Sequence, residues 1–146
     1  MAMVDFNVAT HTTLLVVDDD ICQLELRSLL LKMSGFTVLT AASPIEALSL
    51  LAQPPRCKVN VAILDYEMPM MNGCVLAGYL KACYPDLKII LHSGLLYIPE
   101  SELGSVDSFI PKGDGIARLL GEVSASCNLA GFSTSTEGSM CPQSEL

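Results

Sequence analysis

Three aspartates stand in a row at Asp18, Asp19 and Asp20, and a fourth, Asp65, stands alone between the apolar "AIL" and the loop-like "YEMPMMNG". Both acidic positions close apolar runs, "LLVV" at 14–17 and "VNVAIL" at 59–64. Carboxylates gathered in one crevice repel one another and stay ionised together only when a cation joins them. A few hard oxygen donors suit Mg2+, with Mn2+ as the other ion they would accept, and Mg2+ commonly shares its shell with a phosphate. Such an ion makes Asp65 a candidate nucleophile towards phosphorus, because it offsets the charge that builds up as a carboxylate attacks. Ser93, in "ILHSG", can donate a hydroxyl to a phosphoryl oxygen, and Lys112, in "FIPKG", can neutralise one. Together these residue types point to phosphoryl transfer onto a carboxylate.

That chemistry needs elements that end at a common edge. Five aliphatic and β-branched runs, at 14–17, 37–41, 59–64, 88–92 and 108–110, read as strands. Between them the apolar spacing turns helical, as in Cys22, Leu26, Leu29, Leu30 and Met33, and in Leu76, Tyr79, Leu80 and Cys83. Ser43, Pro44 and Glu46 spell a capping box with proline at the first helical position. Ile116, Leu119, Leu120 and Val123 give a last helix with Asp114 as its cap, whereas "LLYIPESELGSV" carries Pro99 and Gly104 and supports only a short one. Strict alternation of two-sided apolar strands with helices implies an α/β domain: a doubly wound five-stranded parallel sheet with helices on both faces. In the flavodoxin-like order 2-1-3-4-5, ligands sit beyond the carboxyl ends of strands 1 and 3. Asp18 ends the first and Asp65 the third, so the abrupt break after Asp65 leaves its carboxylate standing in that crevice.

A chain of 146 residues has room for one domain with a core. The expected division is an N-terminal arm at 1–11, a domain at 12–123 and a Ser/Thr/Gly-rich, disordered tail at 124–146. No apolar stretch approaches the roughly 18 residues of a membrane helix, and the start shows no secretion signal, so a cytoplasmic protein is expected. Sixteen acids against eight bases give a net charge of −8, which argues against direct nucleic-acid binding. The six cysteines, Cys22, Cys57, Cys74, Cys83, Cys127 and Cys141, show no C-x-x-C pair and read as free thiols rather than zinc ligands or disulfides.

"LLVVDDD", "AILDYEMPMMNG", "ILHSG" and "FIPKG", in that order, resemble the receiver domain of bacterial two-component response regulators, of the stand-alone, chemotaxis-regulator-like type, over residues 12–123. The resemblance implies that Asp65 accepts a phosphoryl group from a sensor histidine kinase or a histidine phosphotransfer protein. It implies Mg2+ held by Asp18, Asp19, Asp65 and the backbone carbonyl of Glu67, with Ser93 and Lys112 on the phosphoryl oxygens. It further implies that Phe109 is the switch aromatic and that the output is a surface for a separate target protein. Such a domain is a phosphoacceptor rather than an enzyme, with at most self-catalysed phosphotransfer and autodephosphorylation. The sequence departs from the family where Pro111 precedes Lys112 and Gly113 follows it, since proline usually follows that lysine.

Singly, each residue has an ordinary reading. The aspartate triplet can be a solvated loop, Asp65 a loop cap, Ser93 a turn residue, Lys112 a surface charge and Phe109 plain core; His11 and His92 carry no assigned role, and Met68, Met70 and Met71 can pack the loop. Two other functions compete. Asp18 and Asp20 also fit the D-x-D motif of haloacid-dehalogenase-like phosphatases, with Asp18 as nucleophile, although the chain is short for that family and Asp65 is then unexplained. The other is a receiver-like binding module that works without phosphorylation.

Overall fold

The computed structural model describes residues 12–53 and 58–134; the expected arm at 1–11, Cys57, Cys141 and the segment 135–146 lie outside the described residues. The strands are β1 (Thr13–Val17), β2 (Thr37–Ala41), β3 (Val61–Leu64), β4 (Lys88–Ser93) and β5 (Ser108–Pro111). The helices are α1 (Ile21–Met33), α2 (Pro44–Ala52), α3 (Gly73–Cys83) and α4 (Ile116–Thr134). All strand pairs are parallel and the order is β2-β1-β3-β4-β5, as the alternation of elements implies.

Every residue of β1 and β3 is buried, because both faces of the sheet are covered. Leu15, Val17, Ala62, Leu64, Ile89 and Leu91 point to one face, where Ala47 and Leu51 of α2 and Leu76, Ala77 and Leu80 of α3 close over them. Leu14, Val16, Ile63, Ile90 and Ile110 point to the other, under Leu24 and Leu31 of α1 and Leu119, Val123 and Cys127 of α4. The starts of α1, α2 and α3 are capped by side chains. Asp20 accepts from the Gln23 N–H at 3.2 Å and Asn72 from the Val75 N–H at 3.0 Å. Ser43 accepts from the Glu46 N–H at 3.0 Å, and Glu46 Oε1 reaches back one residue further than in the usual box, to the Ala42 N–H at 2.7 Å.

Four expectations are corrected. The buried face of α1 is Leu24, Arg27, Ser28 and Leu31, so the stripe Cys22, Leu26, Leu29 and Met33 faces out. Leucines lie on most sides of this helix, and hydropathy alone could not choose its inner side. In α3, Leu76 and Leu80 are inward as expected, but Tyr79 and Cys83 are exposed, and Cys74 and Ala77 fill the core face instead. The tail does not begin at 124: α4 runs to Thr134, with Ser126 and Cys127 buried, because small polar residues can pack where a helix lies close to a sheet. Asp114 is not its cap. It sits in a 3-10 turn, Lys112–Asp114, and accepts from Arg118 at 2.7 Å, while Gly115 takes φ 90° at the entry to α4. Between β4 and β5 a 3-10 turn, Glu100–Glu102, is the short element that Pro99 and Gly104 permit. The four cysteines among the described residues are free, Cys74 and Cys127 buried and Cys22 and Cys83 exposed.

Candidate functional site

The sheet's hydrogen bonds run one residue past β1 and β3. The Asp18 N–H donates to Ala41 O at 3.2 Å and the Asp65 N–H to Val17 O at 3.0 Å, which fixes both aspartates at the carboxyl edge where the strand order reverses. Asp18 is 1% exposed and Asp65 is 7% exposed, and Asp19 stands in solvent beside them. Carboxylate oxygens of all three lie within 4.8 Å of one another. Three hard oxygens at that spacing fit the mixed carboxylate and water shell of Mg2+ or Mn2+. Asp20, the third of the triplet, is spent on capping α1.

Lys112, just past β5, crosses the crevice. Its Nζ lies 3.0 Å from Asp18 Oδ2, 3.2 Å from Asp65 Oδ1 and 2.7 Å from Gln23 Oε1. Asp18 Oδ2 also accepts from Arg27 Nη2 at 2.7 Å, and Asp18 Oδ1 accepts from the Asp20 N–H at 2.9 Å. The two buried acids therefore titrate apart. Burial pushes the Asp18 carboxyl up, but Arg27, the Asp20 N–H and Lys112 outweigh it and hold the group below the usual carboxylate range. Burial pushes Asp65 up as well, Lys112 offsets only part of this, and the charge on Asp18 adds to the rise, so Asp65 ends above that range. Both oxygens of Asp18 are engaged, while Asp65 meets Lys112 through Oδ1 and its Oδ2 carries none of these contacts.

Ser93 closes β4 beside Pro111, fully buried, and its Oγ accepts from the Leu95 N–H at 3.1 Å, so it shapes the turn and also stands at the site's edge of the sheet. Phe109 pairs with Leu91 in register and packs half-buried into the cluster under α2 and α3. Glu67 is exposed in the loop directly after Asp65. In that loop Met68 and Met71 pack against the core, but Met70 does not: it is 88% exposed with φ 77°. A left-handed backbone is costly for a side chain without a local hydrogen bond of its own. Met70→Gly is therefore expected to raise stability by about 0.5–1 kcal/mol, the relief of strain exceeding the extra freedom glycine has in the unfolded chain, as read from urea unfolding midpoints.

Sequence reasoning missed Gln23, Arg27 and the surroundings of His92. The His92 ring is buried with both nitrogens unpartnered among the described residues; burial, then the charges of Arg27 and Lys112, push it down to about 4, so it is neutral at ordinary pH. A buried aspartate at the end of β1 was the signal that a cation from α1 would turn inward.

A parallel 2-1-3-4-5 sheet with acids at its switch point and a lysine reaching over them from β5 defines the receiver class of doubly wound domain. The chain belongs to the response regulator receiver domain family, whose family model matches residues 14–119. It is similar to the response regulator MprA of Mycobacterium ulcerans, 29% identical over 115 residues, covering 77% of this chain and 48% of that protein. It is also similar to the crystal structure of the response regulator TrrA of Thermotoga maritima in complex with Mg(2+)-BeF, at 28% identity and a TM-score of 0.72, covering 79% of this chain and 98% of that one. A chain of the crystal structure of the histidine kinase ThkA in complex with TrrA matches at 28% identity and a TM-score of 0.71, over 79% of this chain and 97% of that one. The chain spans less than half the length of the curated relatives it matches. Among the described residues no helix is long and apolar enough to cross a membrane.

Proposed function

We propose that this receiver domain accepts a phosphoryl group on Asp65. The observation that carries the reading is the asymmetry of the two buried acids: among the described residues Asp18 is held by three donors and Asp65 keeps an oxygen without one. A carboxylate oxygen of Asp65 attacks phosphorus, the P–N bond of a phosphohistidine breaks, and the acyl phosphate remains while the imidazole leaves with its electron pair and takes up a proton. Mg2+ held by Asp18, Asp19 and Asp65, with the Glu67 carbonyl as a further donor, would neutralise charge on the phosphoryl oxygens. Lys112, already 3.2 Å from Asp65 Oδ1, supplies a second positive charge there, and Ser93 turns its hydroxyl from the Leu95 N–H towards the new group. Those contacts favour one of two arrangements of the loops and of Phe109, which is a population shift rather than a turnover reaction. The domain is a phosphoacceptor that at most catalyses its own phosphorylation and dephosphorylation.

A sensor histidine kinase or a histidine phosphotransfer protein is the donor this chemistry requires, and the complex of ThkA with TrrA supports such a partner. Exposed apolar residues follow the site's own strands: Met70 after Asp65, Leu96 and Tyr97 after Ser93, and Ile21 after Asp20. A protein donor would seat against these residues. The output is a separate protein target in the cytoplasm, and a net charge of −8 disfavours nucleic acid as that target.

Incubation with acetyl phosphate and Mg2+ followed by intact-mass measurement tests the assignment. Wild type is expected to gain about 80 Da, one phosphoryl group on a carboxylate nucleophile, and Asp65→Asn to gain nothing. An adduct that survives in Asp65→Asn and disappears in Asp18→Asn would return the nucleophile to Asp18, as in the phosphatase reading.

A further inference from the structure

Arg27 does not belong, by composition, where it lies. It sits on the inner face of α1 between Leu24, Ser28 and Leu31, its side chain is 7% exposed, and its Nη1 has no partner among the described residues. Arginine is rarely buried without pairing, and a leucine would suit this helix face better. Its charge is directed at one oxygen, Asp18 Oδ2, which it shares with Lys112. The two cations differ in freedom. Lys112 is 21% exposed on a flexible stem and has Asp65 and Gln23 as other partners, so it can move away from Asp18 and stay satisfied. Arg27 is enclosed, and among the described residues its one further hydrogen bond is to Gln23 Oε1 at 3.2 Å.

We propose that Arg27 is a resident counter-cation of the crevice: it holds the Asp18 carboxylate in place when no divalent ion is bound, and by the same charge it weakens the binding of that ion. The inference rests on the reading that the three carboxylates hold Mg2+. Asp18, Asp19 and Asp65 bring three negative charges, and Arg27 with Lys112 brings two positive ones, so the crevice meets an ion with a single uncompensated charge. An incoming ion must also share Asp18 Oδ2, which already accepts twice, or take the remaining lone pair of Oδ1 beside the Asp20 N–H. Arg27 is thus a positioning residue, acting through Asp18 and not on the phosphoryl group. The domain keeps its site assembled at low Mg2+ and becomes loaded only at higher concentrations.

The test is calorimetric titration of Mg2+ alone into wild type, Arg27→Leu and Arg27→Lys, with thermal unfolding in EDTA and in Mg2+. No phosphodonor is present, so the result is independent of whether Asp65 is phosphorylated. Arg27→Leu is expected to bind Mg2+ about tenfold more tightly, because one nearby positive charge is gone. Its melting temperature falls in EDTA and recovers in Mg2+, while wild type changes little between the two. Arg27→Lys keeps the charge and stays within about threefold of wild type, a difference small against one full charge. Equal affinity in all three proteins overturns the proposal, as does weaker binding by Arg27→Leu or the absence of Mg2+ binding in every variant. If Arg27→Leu does not fold in EDTA, folding on addition of Mg2+ supports the proposal, and failure to fold in either condition overturns it.

Discussion

Asp18→Ala is expected to cost about 3–5 kcal/mol of stability in EDTA, because it leaves a buried guanidinium facing a gap. Asp65→Asn, one strand away, is expected to cost nothing or to stabilise at neutral pH. The contrast follows from what each acid touches. Asp18 neutralises Arg27 at 2.7 Å and Lys112 at 3.0 Å, whereas Asp65 has Lys112 at 3.2 Å and the charge of Asp18 against it. The pH dependence separates them further. For Asp18 the folded-state value is depressed, so its contribution is complete above the unfolded value near about pH 4 and is lost as pH falls through the lower folded value. For Asp65 the folded value is raised, so the folded state gains from its protonation at low pH and loses that gain as pH rises through the folded value. The stability gap between wild type and Asp18→Ala therefore narrows only in acid. Any advantage of Asp65→Asn appears on the neutral side. Urea unfolding from pH 3 to 8 measures both, and an Asp18→Ala protein as stable as Asp65→Asn at pH 7 would refute the pairing of Asp18 with Arg27.

The acids themselves were legible because each ends an apolar run, and two-sided apolar runs alternating with helices leave few arrangements other than a doubly wound sheet. Asp18, Asp65 and Lys112 then had to meet at one edge, and they do. What periodicity could not deliver was orientation. In α1, leucines at 24, 26, 29, 30 and 31 surround the axis, and the inner face is chosen by a charge, since Arg27 turns in to meet Asp18. Composition misled at the other end of the chain: Ser126 and Cys127 read as tail, but the spacing 116, 119, 120, 123, 127 continues one helical stripe, and Cys127 packs with Val123 against the sheet. Asn72-Gly73 reads as a turn by its residue types and is instead a helix start, with Asn72 as the cap. Gly73 has a further role that no pattern of single residues reveals, which is closeness to the backbone of Asp65.

That closeness underlies the second large effect. A Cβ on Gly73 would clash with the Asp65 carbonyl oxygen and stand 2.8 Å from Leu91 Cδ1. The leucine methyl can give way, but the carbonyl belongs to the backbone that aims the Asp65 carboxylate. The Gly73 N–H also donates to Tyr66 O at 2.9 Å, and the Tyr66 hydroxyl donates to Glu102 at 2.7 Å, so the segment from Asp65 to Gly73 is tied at both ends. Overpacking at such a contact costs typically 1–3 kcal/mol, and Gly73→Ala is expected to lose about that much. Relief must come from a shift of the Asp65 backbone, which moves the acceptor oxygen relative to Lys112 and to the other two carboxylates. Misplacement of a nucleophile by about 1 Å can lower a rate by about a hundredfold. Phosphorylation of Gly73→Ala by acetyl phosphate is therefore expected to slow far more than its fraction folded falls, with both measured at a temperature where the variant is still native. Gly78→Ala is the control, because its nearest neighbour outside the helix's own backbone is Ser105 Oγ at 3.8 Å and an added methyl meets no backbone there. A Gly73→Ala protein that unfolds and accepts phosphate as Gly78→Ala does would show that the loop has more room than its geometry indicates.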